Sequence, residues 1–169
     1  MSDGDTYELG TQRAEVLFTP GHTRGHVVYF FPDAEGGNGG GALFAGDTLF
    51  ALGCGRLFEG TPAQMWASLQ KLERLPDAAK VDCAHEYTQA NGRFALSVEP
   101  GNEALRARMA TVDAARERGE ATVPSTMEAE RATNPFLRPS SADLQATVGM
   151  AGAALGDVFA ETRRRKDNF

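Results

Sequence analysis

The sequence predicts a mixed α/β protein: strands with one helix up to about residue 95, and helices only beyond it. Three observations carry this. Short apolar runs with strand-like composition cluster in the first half, and "RAEVLF" alternates so that Ala14, Val16 and Phe18 share one face. One helix start interrupts them, with Thr61 as N-cap, Pro62 at the first helical position and Gln64 three residues after the cap. After Pro100 the composition turns to Ala, Arg and Glu, which favour helix.

In chain order, "HVVYFF" is a continuous apolar and aromatic run, expected of a strand covered on both faces. Between it and "RAEVLF" lies a loop over residues 19–25, punctuated by Pro20, Gly21 and Gly25. "PDAEGGNGGG" reads as a hairpin-like connection into the short strand "ALFA", which ends at Gly46 and Asp47. "TLFALGCGRLFEG" reads as a structured loop. The helix that follows has Met65, Trp66, Leu69 and Leu72 on one face and stops before Pro76. "KVDCAHEYT" is another short strand, running out at Ala84 and His85. Residues 101–120 read as a helix, "TVPSTMEAERATNPFLRPS" as a proline-bearing connector, and residues 142–167 as a helical stretch weakened by glycines. The expected division is 1–95 and 96–169, with no internal repeat.

Composition narrows the function. A net charge of -6 over 169 residues argues against broad binding to nucleic acid or to a membrane surface. No apolar run is long enough to span a bilayer, and the acidic start "MSDGDTYELG" lacks a signal-peptide core, so the expected location is cytoplasmic, or mitochondrial if a longer precursor exists. Cys54 and Cys83 imply no disulfide framework and read as small apolar residues. The run Arg163, Arg164, Arg165 and Lys166 stands out on an acidic chain. It fits either a small anionic ligand or a solvated helix end favoured by the helix dipole.

The chemistry-bearing residues fall at strand ends. His22 lies in the loop after one strand, Asp47 follows a second, and His85 closes a third. Imidazole nitrogen and carboxylate oxygen together suit zinc or iron, and a carboxylate can bridge two cations. Taken singly, each residue is an ordinary loop histidine, turn aspartate or hydrogen-bonded histidine. The stretches around them are more specific.

"FTPGHTRGH", "FAGDTLF", "GCGRLFEGT", "AHEYT" and the closing "RRRKD" resemble, in order, the C-terminal two-thirds, roughly, of glyoxalase II, the hydroxyacylglutathione hydrolase family of the metallo-β-lactamase superfamily. The resemblance implies the second half of an αββα sandwich followed by a helical C-terminal domain. It implies hydrolysis of S-D-lactoylglutathione to D-lactate and glutathione at a site of two metal ions, zinc or a mixture with iron or manganese. Residue by residue, it makes His22 a ligand of the first metal, Asp47 the bridging and catalytic carboxylate, and His85 a ligand of the second metal. Arg56 matches a basic residue for glutathione, and Phe58 stands where a tyrosine is common. Tyr87 matches a contact to the glutathione backbone, and Arg163 and Lys166 match the pair that holds its glycine carboxylate. His26 matches no ligand position and reads as a supporting residue.

The family's T-H-x-H-x-D-H motif is not in the sequence, and only His22, His26 and His85 are present. The expectation is therefore that the isolated chain binds metal weakly and hydrolyses little. The sheet face that should meet the other half would be exposed and apolar, which calls for a complementing N-terminal segment or self-association. Two further readings stay open: a non-catalytic module that binds glutathione conjugates, and a half-domain that pairs with another chain.

Overall fold

A computed structural model describes residues 2–34 and 39–169. Among them, a six-stranded sheet has the order β1-β2-β3-β4-β7-β8 and a separate two-stranded ribbon joins β5 to β6. The sheet strands are β1 (Thr6–Leu9), β2 (Gln12–Phe18), β3 (Val27–Phe31), β4 (Ala42–Gly46), β7 (Lys80–Cys83) and β8 (Ser125–Thr126); the ribbon is β5 (Leu49–Phe50) and β6 (Gly53–Cys54). The helices are α1 (Pro62–Leu72), α2 (Thr88–Val98), α3 (Glu103–Glu117), α4 (Met127–Thr133), α5 (Ala142–Val148) and α6 (Leu155–Asp167).

Strand direction decides where the loops converge. β2 and β4 both run antiparallel to β3, and β7 runs parallel to β4. The C-terminal ends of β2, β4 and β7 therefore share one rim of the sheet. β3 ends and β4 begins at the opposite rim, and residues 35–38 of the hairpin-like connection expected between them fall outside the described residues.

The two faces of the sheet differ. Val28, Phe30, Leu43, Ala45 and Val81 share one face and pack with Met65, Leu69 and Leu72 of α1 and with Phe94, Phe136 and Phe159 from the helical half. At about 25 cal/mol per Å² of buried apolar surface, this cluster is the main driving force for folding. The other face carries Tyr7, Leu9, Tyr29 and Phe44, and Leu9 is 60% and Phe44 50% exposed. The apolar run in β3 is thus covered unevenly: Val28 and Phe30 are buried on the core face, whereas on the other face Phe31 is buried and Tyr29 only half-buried.

α1 begins as its sequence dictates. Thr61 Oγ1 accepts the Gln64 amide and Gln64 Oε1 accepts the Thr61 amide, closing a reciprocal cap. The segment 122–140 is more ordered than a connector. Ser125 and Thr126 pair with Val81 and Lys80 at the sheet edge, and Thr126 then caps α4 by accepting the Ala129 amide. Two pairing residues and a seven-residue helix are too short for periodicity to reveal. What orders them is Glu130, fully buried, which accepts from Arg108, from the Leu52 amide at 2.9 Å and from Asn134 Nδ2 at 2.9 Å. These bonds hold the β5–β6 turn, where Leu52 has φ +59°, against α4. β1 was likewise hidden in the acidic N-terminal run. The glycine-weakened stretch splits into α5 and α6 at Gly149, whose left-handed φ of +73° ends α5. α2 runs through position 95, and the main core draws on both halves.

Candidate active site

The shared rim places His22, Asp47 and His85 around one cavity of about 600 Å³. Its other walls include Phe50 and Cys54 of the ribbon, Arg56 and Phe58 of the loop after it, Tyr87 before α2, and Arg163, Lys166 and Asp167 of α6. All eight residues singled out from the sequence line this cavity.

The turn carrying Asp47 is tightly clamped. His26 Nε2 accepts the Asp47 amide at 3.1 Å, which requires that nitrogen to be unprotonated. The Nδ1 proton then faces the hydroxyls of Thr48 at 3.0 Å and Thr19 at 3.2 Å, which touch each other at 3.0 Å. Burial lowers the His26 pKa; the Asp47 charge opposes that shift and His22 adds to it. Gly46 precedes Asp47 with φ +51°, and Gly55 lies so close that a Cβ there would sit 1.9 Å from the Asp47 carbonyl oxygen.

The imidazoles are oriented as well. His22 Nδ1 meets the Arg56 carbonyl at 2.8 Å, so it donates there and leaves Nε2 with its lone pair. His85 Nε2 lies 3.1 Å from Asp47 Oδ1. Tyr87 stacks on His85 at 4.8 Å between centroids, and Phe58, 68% exposed, meets His22 edge-on at 5.1 Å.

The donor types suit a borderline-soft cation, but the number does not. Among the described residues, no group of three or more His, Cys, Asp or Glu side chains is placed to hold one ion. The set in this chain does not make a complete metal site.

The basic run is not one patch. Arg164 and Arg165 both pair with Glu161, the first at 2.7 Å and the second at 2.8 Å. Arg163 is buried: it donates to the Cys54 carbonyl at 2.9 Å and to Asp167 at 2.9 Å, and lies 5.0 Å over the Phe136 ring. Its guanidinium is therefore engaged, and its Nε is buried without a hydrogen-bond partner. Lys166 differs. Its ammonium lies 5.3 Å from the ring centroids of both Phe94 and Phe169, and among the described residues it has no ion-pair partner. Burial lowers its pKa, with Arg163 and Arg56 nearby acting in the same direction. Burial raises the Cys54 thiol to about 11, so it stays protonated, in keeping with a small packing residue.

Sequence reasoning did not single out Phe50, Phe169 and Asp167 of the cavity wall. For Asp167 the one available signal was its place next to Lys166 in "RRRKD".

Comparison with known proteins finds relatives for both parts of the chain. Residues 86–169 match the family described as hydroxyacylglutathione hydrolase C-terminus, and residues 1–81 match the metallo-beta-lactamase superfamily. The chain is similar over its full length to hydroxyacylglutathione hydrolases from Methylococcus capsulatus, at 56% identity, and Maricaulis maris, at 55% identity. In both cases it spans 64% of the relative's length. Among solved structures, it superposes on ETHE1 from Myxococcus xanthus with a TM-score of 0.59 at 23% identity, covering 97% of this chain and 50% of that one. A metallo-beta-lactamase from Staphylococcus aureus gives a TM-score of 0.56 at 20% identity, covering 98% and 42%. These two share the fold. No helix of the described residues is long and apolar enough to cross a membrane. Residues 86–169 thus belong to the family of hydroxyacylglutathione hydrolase C-termini, and residues 1–81 to the metallo-beta-lactamase superfamily.

Proposed function

We propose that this chain is the carrier-binding part of a glyoxalase II-type thioester hydrolase acting on S-acylglutathione, such as S-D-lactoylglutathione. The observation that carries the reading is one cavity lined both by His22, Asp47 and His85 and by the cations Arg56 and Lys166. In this reading the ammonium of Lys166, which donates only a long bond of 3.5 Å to the Ala90 carbonyl among the described residues, and the guanidinium of Arg56 take the glycine carboxylate of the tripeptide. Tyr87 lies along the peptide backbone, and Phe58 forms an apolar lip beside His22. Arg163, enclosed by Cys54, Phe136 and Asp167, positions the end of α6 instead of touching the ligand. Residues 1–95 then supply the reacting end together with Arg56, Phe58 and Tyr87 of the carrier pocket, and residues 96–169 close that pocket with Lys166, in a reducing compartment such as the cytoplasm.

His22, Asp47 and His85 are, on this reading, the chain's share of donors for zinc, iron or manganese, with Asp47 the shared carboxylate. Because they do not complete a site, hydrolysis needs further donors. We assign those donors to a preceding segment bearing T-H-x-H-x-D-H, packed on the exposed sheet face at Leu9, Tyr29 and Phe44. The 64% span of the relatives and the apolar character of that face favour this occupant over a second copy of the chain.

The test is to measure S-D-lactoylglutathione hydrolysis by the chain with zinc added, with and without the preceding segment supplied in trans. Activity in the mixture alone supports the hydrolase. Glutathione binding with no hydrolysis in either case favours the non-catalytic binding module, which the incomplete donor set otherwise suits. Failure to bind glutathione refutes both.

A further inference from the structure

The cavity carries its own counter-ion. Asp167 Oδ1 accepts from Arg163 Nη2 at 2.9 Å and lies 3.4 Å from Arg56 Nε. The two contacts differ in kind. The Arg163 side chain is 6% exposed, one helical turn away on α6, and has no other place to go. The Arg56 side chain is 58% exposed on a loop, and 3.4 Å is longer than an ordinary N–H···O bond. An exposed pair of that sort is held by less than about 1 kcal/mol.

The carboxylates lining the cavity are Asp47 and Asp167. Asp47 faces His85, so Asp167 is the one within reach of Arg56. Its oxygen occupies the position beside Arg56 Nε that an incoming carboxylate would take in a bidentate grip through Nε.

We propose that Asp167 is an internal competitor for Arg56, and that an anionic ligand engages Arg56 only by displacing it. Arg163 retains Asp167 while Arg56 swings to the ligand, so the exchange needs no movement of α6. The anion's identity as glutathione rests on the functional reading above; the competition itself does not. Asp167 thereby lowers the affinity of the pocket for anions and eases their release.

Asp167→Asn removes the charge and keeps an oxygen acceptor for Arg163. Wild type and variant are titrated calorimetrically with glutathione and, separately, with inorganic pyrophosphate. The variant should bind both about 3-fold more tightly, within the range an exposed ion pair allows. The gain should vanish in an Arg56→Ala background, and Asp157→Asn, which removes a charge from the exposed start of α6, should show no gain. Tighter pyrophosphate binding with no glutathione binding in either protein upholds the competition and refutes the glutathione reading. Equal or weaker pyrophosphate binding by D167N, none at all, a gain that survives R56A, or an equal gain in D157N overturns the proposal. Asp167→Ser serves the same comparison should the amide variant not fold.

Discussion

His26 Nε2 accepts the amide proton of Asp47 at 3.1 Å, so a ring in one loop fixes the backbone of the turn that ends β4. Replacing His26 by Phe fills the space but leaves the Asp47 amide and the paired hydroxyls of Thr19 and Thr48 without their ring partner. Urea denaturation of H26F should show a loss of about 2 kcal/mol, the cost of stranding buried polar groups.

The same ring sets a pH dependence. The folded state holds its pKa below 6.5, chiefly by burial, while the unfolded chain titrates near 6.5. The unfolded state therefore binds more protons below that value. The stability tied to a neutral His26 is present above pH 6.5 and is lost as pH falls through the folded pKa. Urea midpoints taken between pH 7.5 and 5.5 should fall more steeply for wild type than for H26F.

A buried pair braces the helical half. Glu99, 1% exposed, accepts from Arg138 Nη2 at 2.8 Å and from Arg138 Nε at 2.9 Å. Burial alone would push its carboxyl up, but Arg138, Ser141 and Asn102 bring it below the ordinary range. Its contribution is therefore present above pH 4.5 and is lost on acidification. Glu99→Ala should cost about 3 kcal/mol in urea denaturation, because Arg138 is left with no carboxylate partner.

Lys166→Ala should weaken glutathione binding about 10-fold, the worth of one charge-assisted contact. Arg164→Ala, which removes an exposed cation already paired with Glu161, should leave it unchanged. Isothermal titration calorimetry separates the two, although the sequence presents both as members of one basic run.

Gly55→Ala places a methyl group 1.9 Å from the Asp47 carbonyl oxygen, and that atom belongs to backbone with little freedom to yield. We expect a loss of about 2 kcal/mol in urea denaturation and a displaced Asp47 amide resonance in ¹⁵N NMR spectra.

These contrasts mark what the sequence made legible. The alternation of Ala14 and Val16, the capping box at Thr61 and the histidines and aspartate at strand ends are local patterns, and each appears where local rules put it. The residues that escaped notice depend on distant partners. Glu130 is one unremarked residue of the proline-bearing connector until Arg108, Leu52 and Asn134 surround it, from up to 78 positions away. Arg163 reads as a free cation until Cys54, 109 positions earlier, receives it. Charge in a sequence reveals neither burial nor pairing, so the basic run looked uniform although its four members have different surroundings.

Three loops hang from one rim of the sheet, whereas β3 ends and β4 begins at the other. The molecule is therefore asymmetric in what it should tolerate. A peptide tag or fluorophore spliced after Asp33, just beyond the end of β3, enters a full strand length from the cavity, and the same insertion beside Gly46 would fall on the clamp itself. That far rim is the natural attachment point for a reporter that must leave binding undisturbed.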